Sequence, residues 1–114
     1  MRLPEAEIQV DGAKAWILQG NANQLVFFEF DSGTQVPKHS HSYDQWGIVI
    51  EGEMELVIDG KPRICPKGAE YVIPSGAEHF AKFLHKTRVM DFFSEKNRYK
   101  LKPIEQSLKQ GQNV

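Results

Sequence analysis

The chain has 114 residues, of which 40% are hydrophobic and 25% charged, enough for one soluble domain around a single core and too few for two. Its formal net charge of −1 offers no basic surface for nucleic acid and none for an anionic bilayer. Cys65 is the only cysteine, so no intrachain disulfide forms and nothing points to an oxidising compartment. The opening residues, Met1 to Glu7, hold no apolar run of signal-peptide length, and Leu25 to Phe28 and Ile48 to Ile50 are far too short to cross a bilayer. A cytoplasmic protein is the expectation.

Residues 1–12 read as a loose lead-in that ends at the turn Asp11-Gly12. Ala13 to Gln19 forms a first strand, and Gly20-Asn21-Ala22-Asn23 is a turn. Leu25 to Phe30 is a second strand with bulk on both faces, which predicts cover on two sides. Asp31-Ser32-Gly33 then leads into GTQVPKHSHSYDQWGIVIEG, residues 33–52. On an extended strand, side chains alternate with a period of two, so His39, His41 and Gln45 are expected on one face. Gln45 to Glu51 is a buried strand broken by Gly52, and Glu53 to Ile58 alternates strictly. Asp59-Gly60 is a hairpin signal of the type that requires positive φ at both central residues. Lys61 to Cys65 returns from it, with Pro62 marking an edge. Tyr71 to Ile73 is a short strand closed by Pro74-Ser75-Gly76, and His79 to Leu84 and Arg88 to Phe93 are read as a strand pair around His85-Lys86-Thr87. No helical period is sustained before residue 100; the one helical expectation is a short helix in the polar tail, over residues 103–110. Short strands punctuated by Gly and Pro predict an all-β sandwich or barrel.

Four histidines in a chain of this length are unremarkable, and a lone histidine is more often a satisfied core or surface residue than a ligand. Their framing is less ordinary. Five residues separate Gly33 from His39 and six separate Gln45 from Gly52, while downstream the frame is Gly68, Pro74, Gly76, His79. In these two segments the sequence resembles the cupins, whose paired motifs carry glycines, a His-x-His pair and a downstream histidine at these intervals. The resemblance spans residues 33–83 and implies a double-stranded β-helix, the cupin jelly-roll barrel, as a single domain over residues 1–114 with its core at roughly 13–95. It also implies one divalent transition metal ion (Fe, Mn, Ni, Co or Zn) held by His39, His41 and His79. Two positions depart from the family pattern. Gln45 stands where glutamate is usual, and Phe83 where asparagine is usual; Phe83 reads as packing. Gln45 leaves the ligand set neutral, which suits Lewis-acid work or capture of an anionic chelating substrate. Either Gln45 ligates directly or it holds a metal-bound water. The bland alternative is a degenerate barrel whose histidines bond only one another. His85, at a turn, reads as exposed, and Cys65, with no basic neighbour, as an inert packed thiol.

The last strand adds a carboxylate. Asp91 shares a face with Val89 and Phe93, and strand parity alone leaves open whether that face looks inward or to solvent. Turned inward, its pKa would rise and it would be a candidate acid or base. The Gln45 substitution and the Asp91-x-Phe93-Ser94 ending are similar to a branch of pectin-degradation cupins that convert ring-form 4,5-unsaturated uronates into the linear keto sugar acid. That likeness implies a metal ligand set of His39, His41, Gln45 and His79, a catalytic Asp91, and Phe93 with an arginine at the substrate. The arginine is displaced by one residue: position 97 is Asn97, and Arg98 or Lys96 must serve. A metal-dependent isomerase or lyase acting on a small anionic sugar acid is the expected function, with a metal-dependent dioxygenase or a non-catalytic sugar-binding barrel as rivals. A homodimer paired through sheet edges is implied by the resemblance.

Overall fold

A computed structural model of the protein describes residues 2–103. Among these residues there are nine strands and no helix. The first five are β1 (Ala13–Gln19), β2 (Gln24–Phe30), β3 (Gln35–His39), β4 (Gln45–Glu51) and β5 (Glu53–Ile58). They are followed by β6 (Lys61–Pro66), β7 (Glu70–Ile73), β8 (His79–Lys82) and β9 (Thr87–Phe93). One sheet runs β1-β2-β9-β4-β7 and the other β3-β8-β5-β6. All pairings are antiparallel, and the two sheets close into the jelly-roll double-stranded β-helix.

Alternation builds the core. Val26, Phe28 and Phe30 of β2 are buried, as are Met54 and Leu56 of β5 and Val89 and Phe93 of β9. Phe83 fills the space between the sheets, its ring stacked on Phe30 at 4.0 Å. Cys65 is also fully buried, and burial pushes its thiol pKa up. Asp59 and Gly60 take φ of 48° and 78°, both positive as the β5–β6 hairpin turn demands. β6, which starts with Lys61-Pro62, lies at a sheet edge, where a missing N–H costs least.

Four expectations need correcting. His39, His41 and Gln45 do not share one strand: β3 ends at His39, residues 40–44 cross between the sheets, and Gln45 opens β4 in the other sheet. His79–Lys82 and Thr87–Phe93 are no hairpin either, since β8 pairs with β3 and β5 while β9 pairs with β2 and β4. Lengths and turn residues around 83–87 fit a hairpin equally well, but Thr87 is fully buried, bonded to the Glu53 backbone in the opposite sheet corner. The lead-in is anchored rather than loose: Ala6 donates to Ala15 and Ile17 donates to Pro4, covering the β1 edge. Last, the outer face of β2 is half-buried rather than covered. Of the helix expected over residues 103–110, all but Pro103 lies outside the described residues.

A single residue, Gly52, carries the chain from β4 to β5 and so from one sheet to the other. Its φ is +85°, and a Cβ there would meet Lys86 O at 2.5 Å and Thr87 Oγ1 at 2.6 Å. Gly52→Ala is expected to destabilise the fold by about 2 kcal/mol or more through backbone strain and the clash together. Thermal and urea melts of the two proteins check this.

Candidate metal centre

The crossing that breaks β3 from β4 is what brings the histidines together. His39 ends β3 directly opposite His79 at the start of β8, and His41 sits in the crossing segment. That segment is pinned from both sides. Gly76 N–H donates to His41 O at 2.8 Å, so the Pro74-Ser75-Gly76 turn of one motif holds the histidine of the other. Asp44 accepts from Ser75 N–H at 2.9 Å and exchanges bonds with Ser94. Tyr43 stacks flat on the His41 ring at 4.3 Å.

The ligand atoms of His39, His41 and His79 all lie within 4.8 Å of one another. Each ring is oriented the same way. His39 Nδ1 meets Pro37 O at 2.8 Å, His41 Nδ1 meets Tyr43 O at 2.9 Å and His79 Nδ1 meets Ala77 O at 2.9 Å. A carbonyl only accepts, so each Nδ1 carries the proton and each Nε2 presents a bare lone pair. Carbonyls that fix the tautomer in this way are the usual outer partners of metal-binding imidazoles. His79 Nε2 is buried with no hydrogen-bond partner, an uncommon and costly state for a polar atom. Burial lowers the pKa of His39 and takes that of His79 down to about 4, so both rings stay neutral at pH 7. Three converging lone pairs, one of them orphaned, fit a divalent cation, and these residues could hold one.

Gln45, at the start of β4, is buried beside them. Its Oε1 lies 3.0 Å from His41 Nε2. Since His41 is protonated on Nδ1, two acceptors face each other across that distance, an arrangement that a cation between them relieves. With the oxygen at His41, the amide nitrogen is turned toward Asp91, where it helps to hold the carboxyl pKa down. Asp91 faces inward, resolving the parity left open by the sequence, and only 5% of it is exposed. Tyr71 of β7 donates to Asp91 Oδ1 at 2.6 Å. Burial pushes the Asp91 pKa up to about 7, against the pull of the Tyr71 and Gln45 bonds, while burial and the neighbouring Asp91 hold the Tyr71 phenol well above its usual range.

Tyr71 and Asp91 belong to strands on either side of β4, and both register opposite Gly47. They meet only because Gly47 has no side chain: a Cβ there would stand 2.2 Å from Asp91 Oδ1 and 2.7 Å from Tyr71 Oη. Tyr71 and Gly47 were not singled out from the sequence. An isolated glycine inside a strand pattern marks a close approach, and Gly47 in QWGIVIE was such a signal.

Arg98 completes the polar lining of a cavity of about 600 Å³ that also takes in His39, His79, Gln45, Asp91 and Phe93. Lys96 is exposed and does not line it. The Arg98 guanidinium lies over the rings of Tyr99 (4.7 Å) and Phe93 (5.8 Å), and its Nε is buried without a partner. The buried amide of Gln24 sets this segment in place: Tyr99 N–H donates to Gln24 Oε1 and Gln24 Nε2 donates to Tyr99 O, both at 3.0 Å. Gln19 Nε2 adds a bond to Lys96 O at 2.9 Å. Phe93 is buried at the centre, edge-on to His41, Phe28 and Tyr99. His85 is exposed and takes no part.

The cupin domain family model matches residues 26–93. An RmlC-like cupin from Shewanella frigidimarina NCIMB 400 is 27% identical over 83% of this chain and 86% of its own, with a TM-score of 0.75. KdgF from a Halomonas species is also 27% identical, over 82% of this chain and 88% of its own, with a TM-score of 0.73. A salicylate 1,2-dioxygenase from Pseudaminobacter salicylatoxidans shares the fold, with a TM-score of 0.70 at 17% identity over 74% of this chain and 26% of its own. No curated protein matches the sequence. With paired glycine-framed motifs, a two-sheet jelly roll, converging histidines at its mouth and a family match over residues 26–93, the chain belongs to the cupin family.

Proposed function

We propose that the protein is a metal-dependent isomerase or lyase of a small anionic sugar acid, with ring opening of a 4,5-unsaturated uronate as its reaction. The observation that carries this reading is the Gln45 amide, whose oxygen lies 3.0 Å from His41 Nε2 in a cavity shared with His39, His79 and the buried Asp91. It joins a neutral ligand set to a buried acid poised near neutrality. His39, His41, His79 and the Gln45 oxygen would hold one divalent transition ion (Fe, Mn, Ni, Co or Zn), which when bound supplies Lewis acidity toward substrate oxygens without a protein carboxylate to offset its charge.

The remaining groups are this chain's own. Arg98, with a buried unpartnered Nε beside Phe93, binds the uronate carboxylate by a charge-assisted bond, and Phe93 packs against the sugar ring. Asp91 takes the proton of the C1 hydroxyl as the C1–O5 bond breaks. The electron pair of that bond moves onto O5 as an enolate, and protonation at C4 gives the 5-keto acid. The proton leaves one carbon's oxygen and returns to another carbon, so nothing is oxidised and no water is consumed. A carboxyl with a pKa near 7 suits both directions of transfer. Tyr71 orients Asp91, and Gln24 holds the Arg98 segment. We also infer that the protein works as a homodimer in the cytoplasm.

Metal-loaded protein incubated with unsaturated galacturonate is expected to bleach the conjugated enol-ether absorbance at the same rate with or without oxygen, and Arg98→Ala to raise KM far more than it lowers kcat. Wild type no faster than His41→Ala would sink the assignment, and a requirement for oxygen would replace it with a dioxygenase. Metal binding is read independently of turnover. At a free ion concentration about 100-fold above Kd, the melting transition should gain about 2.7 kcal/mol, an increment lost in His79→Ala and weakened about tenfold in affinity in Gln45→Ala.

The pH dependence of metal-free protein separates the buried groups. Asp91, raised to about 7 from 3.8, contributes stability that is present below pH 4 and lost as pH rises through 7. The shift of about three units corresponds to at most about 4 kcal/mol. His79, lowered to about 4 from 6.5, acts oppositely, its contribution being full above pH 6.5 and lost as pH falls toward 4. Asp91→Asn keeps an acceptor for Tyr71 and is expected to gain stability relative to wild type steadily from pH 4 to pH 8. Urea melts across that range check it; parallel curves for the two proteins would refute a raised Asp91.

A further inference from the structure

Neighbouring residues on a strand face opposite ways, yet Arg98 and Tyr99 both line the cavity. Bends at residues 98–99, just after the turn at Lys96-Asn97, make this possible. Asn97 stands exposed in that turn, its N–H donating to Glu95 Oε2 at 2.8 Å, and the arginine comes one position later, directly beside the tyrosine. Tyr99 is the fixed member of the pair. Its backbone N–H and carbonyl are both bonded by Gln24, which is 1% exposed. Its ring stands edge-on to two buried core rings, Phe28 at 5.7 Å and Phe93 at 5.6 Å. Arg98 is the member that needs holding, because a long side chain has many rotamers to lose. Its guanidinium carbon lies 4.7 Å from the Tyr99 ring centre and 5.8 Å from that of Phe93, both within the reach of a cation–π contact. Among the described residues no acidic side chain pairs with Arg98, and its Nε is buried without a partner. Burial pushes the Tyr99 phenol up to about 12, against the pull of Arg98, so the ring stays uncharged.

We propose that Tyr99 is a positioning residue whose ring face holds the Arg98 guanidinium in the cavity as a preformed clamp for an anion. An acidic partner would orient Arg98 as well, but it would neutralise the charge and occupy the N–H fork that a carboxylate needs. A ring face attracts the cation through its quadrupole and takes up no N–H donor. Orientation is thereby gained with charge and donors still available, and the orphaned Nε is one such donor. Holding the side chain in its binding geometry lowers the ordering cost of capture. The buried Gln24 amide acts at one further remove, because it fixes the backbone from which the Tyr99 ring projects. The effect on turnover rests on the reading of Arg98 as the partner of the uronate carboxylate; the contact between the two side chains does not.

Two measurements on the zinc-loaded full chain test this, one of them independent of substrate. The Arg98 Nε–Hε nuclear magnetic resonance signal, assigned by its absence in Arg98→Ala, is expected upfield of the other arginines because of the ring current. It should return to the ordinary arginine position in Tyr99→Leu and stay shifted in Tyr99→Phe, which keeps the ring face. In turnover of unsaturated galacturonate, Tyr99→Leu should raise KM about tenfold and change kcat by less than about twofold, the size expected of one partly desolvated cation–π contact. Tyr99→Phe should restore KM, and in the Arg98→Ala background Tyr99→Leu should raise it no further, because the two residues act as one unit. A tyrosine that merely packs would lower the melting temperature in Tyr99→Leu and leave the resonance and KM where they are. Either one unmoved overturns the proposal, as does failure of Tyr99→Phe to restore them. A wild type that does not turn over the uronate removes the substrate reading instead, and the resonance then decides for Tyr99 by itself. If Tyr99→Leu fails to fold, Tyr99→Met, which keeps the bulk without a ring face, takes its place.

Discussion

The orientation of one side-chain amide organises the site. Gln45 turns its oxygen to His41 Nε2 and its nitrogen toward Asp91, which sets an acceptor against a bare imidazole lone pair. Three backbone carbonyls have already committed the imidazole protons to Nδ1, so every group around the centre presents a lone pair to the same small volume. Of these lone pairs that of His79 Nε2 is buried with no partner, a costly state that a cation would relieve. The fit to a cation thus arises from the hydrogen-bond directions of neutral groups.

Two strands connect this centre to everything else. β4 and β9 lie adjacent in the middle of the five-stranded sheet. Gln45, Gly47, Asp91 and Phe93 face the cavity from these strands, while Trp46, Ile48, Met90 and Phe92 face outward. Strand geometry forces the two sets to alternate, so a shift of register that spoils one face spoils the other. The barrel places its most polar buried groups and its most apolar surface back to back, separated by a single layer of backbone.

Much of this was legible in the residues. Gly and Pro punctuation together with alternation located eight of the nine strands within a residue or two, β3 having no bounds of its own in the reading, and the family resemblance of the two glycine frames implied that His39, His41 and His79 meet. What escaped has identifiable causes. Periodicity describes a strand but not its sheet, so the 83–87 connection passed for a hairpin although the chain crosses between sheets there. The three motif side chains converge, yet through a crossing segment rather than the parity of one strand. Asp91 could not be oriented because both parities of Val89-Met90-Asp91-Phe92-Phe93 are apolar, although the outward one is only half-buried. The Gln24 clamp on Tyr99 joins residues 75 positions apart; no local pattern signals a contact at that range.

Gly47 sets the terms on which this scaffold can diverge. Its hydrogen is the whole gap through which the phenol of Tyr71 reaches the carboxyl of Asp91. A lineage that acquires even a methyl group there must part the pair, lose the orienting bond and leave an acid stranded in an apolar wall. Shortening Tyr71 makes no room by itself, because Asp91 Oδ1 at 2.2 Å and the Met90 carbonyl at 2.6 Å stand closer to that position than the phenol does. The glycine is therefore held by the backbone of the neighbouring strand, and a different chemistry on this barrel has to be reached with Gly47 in place.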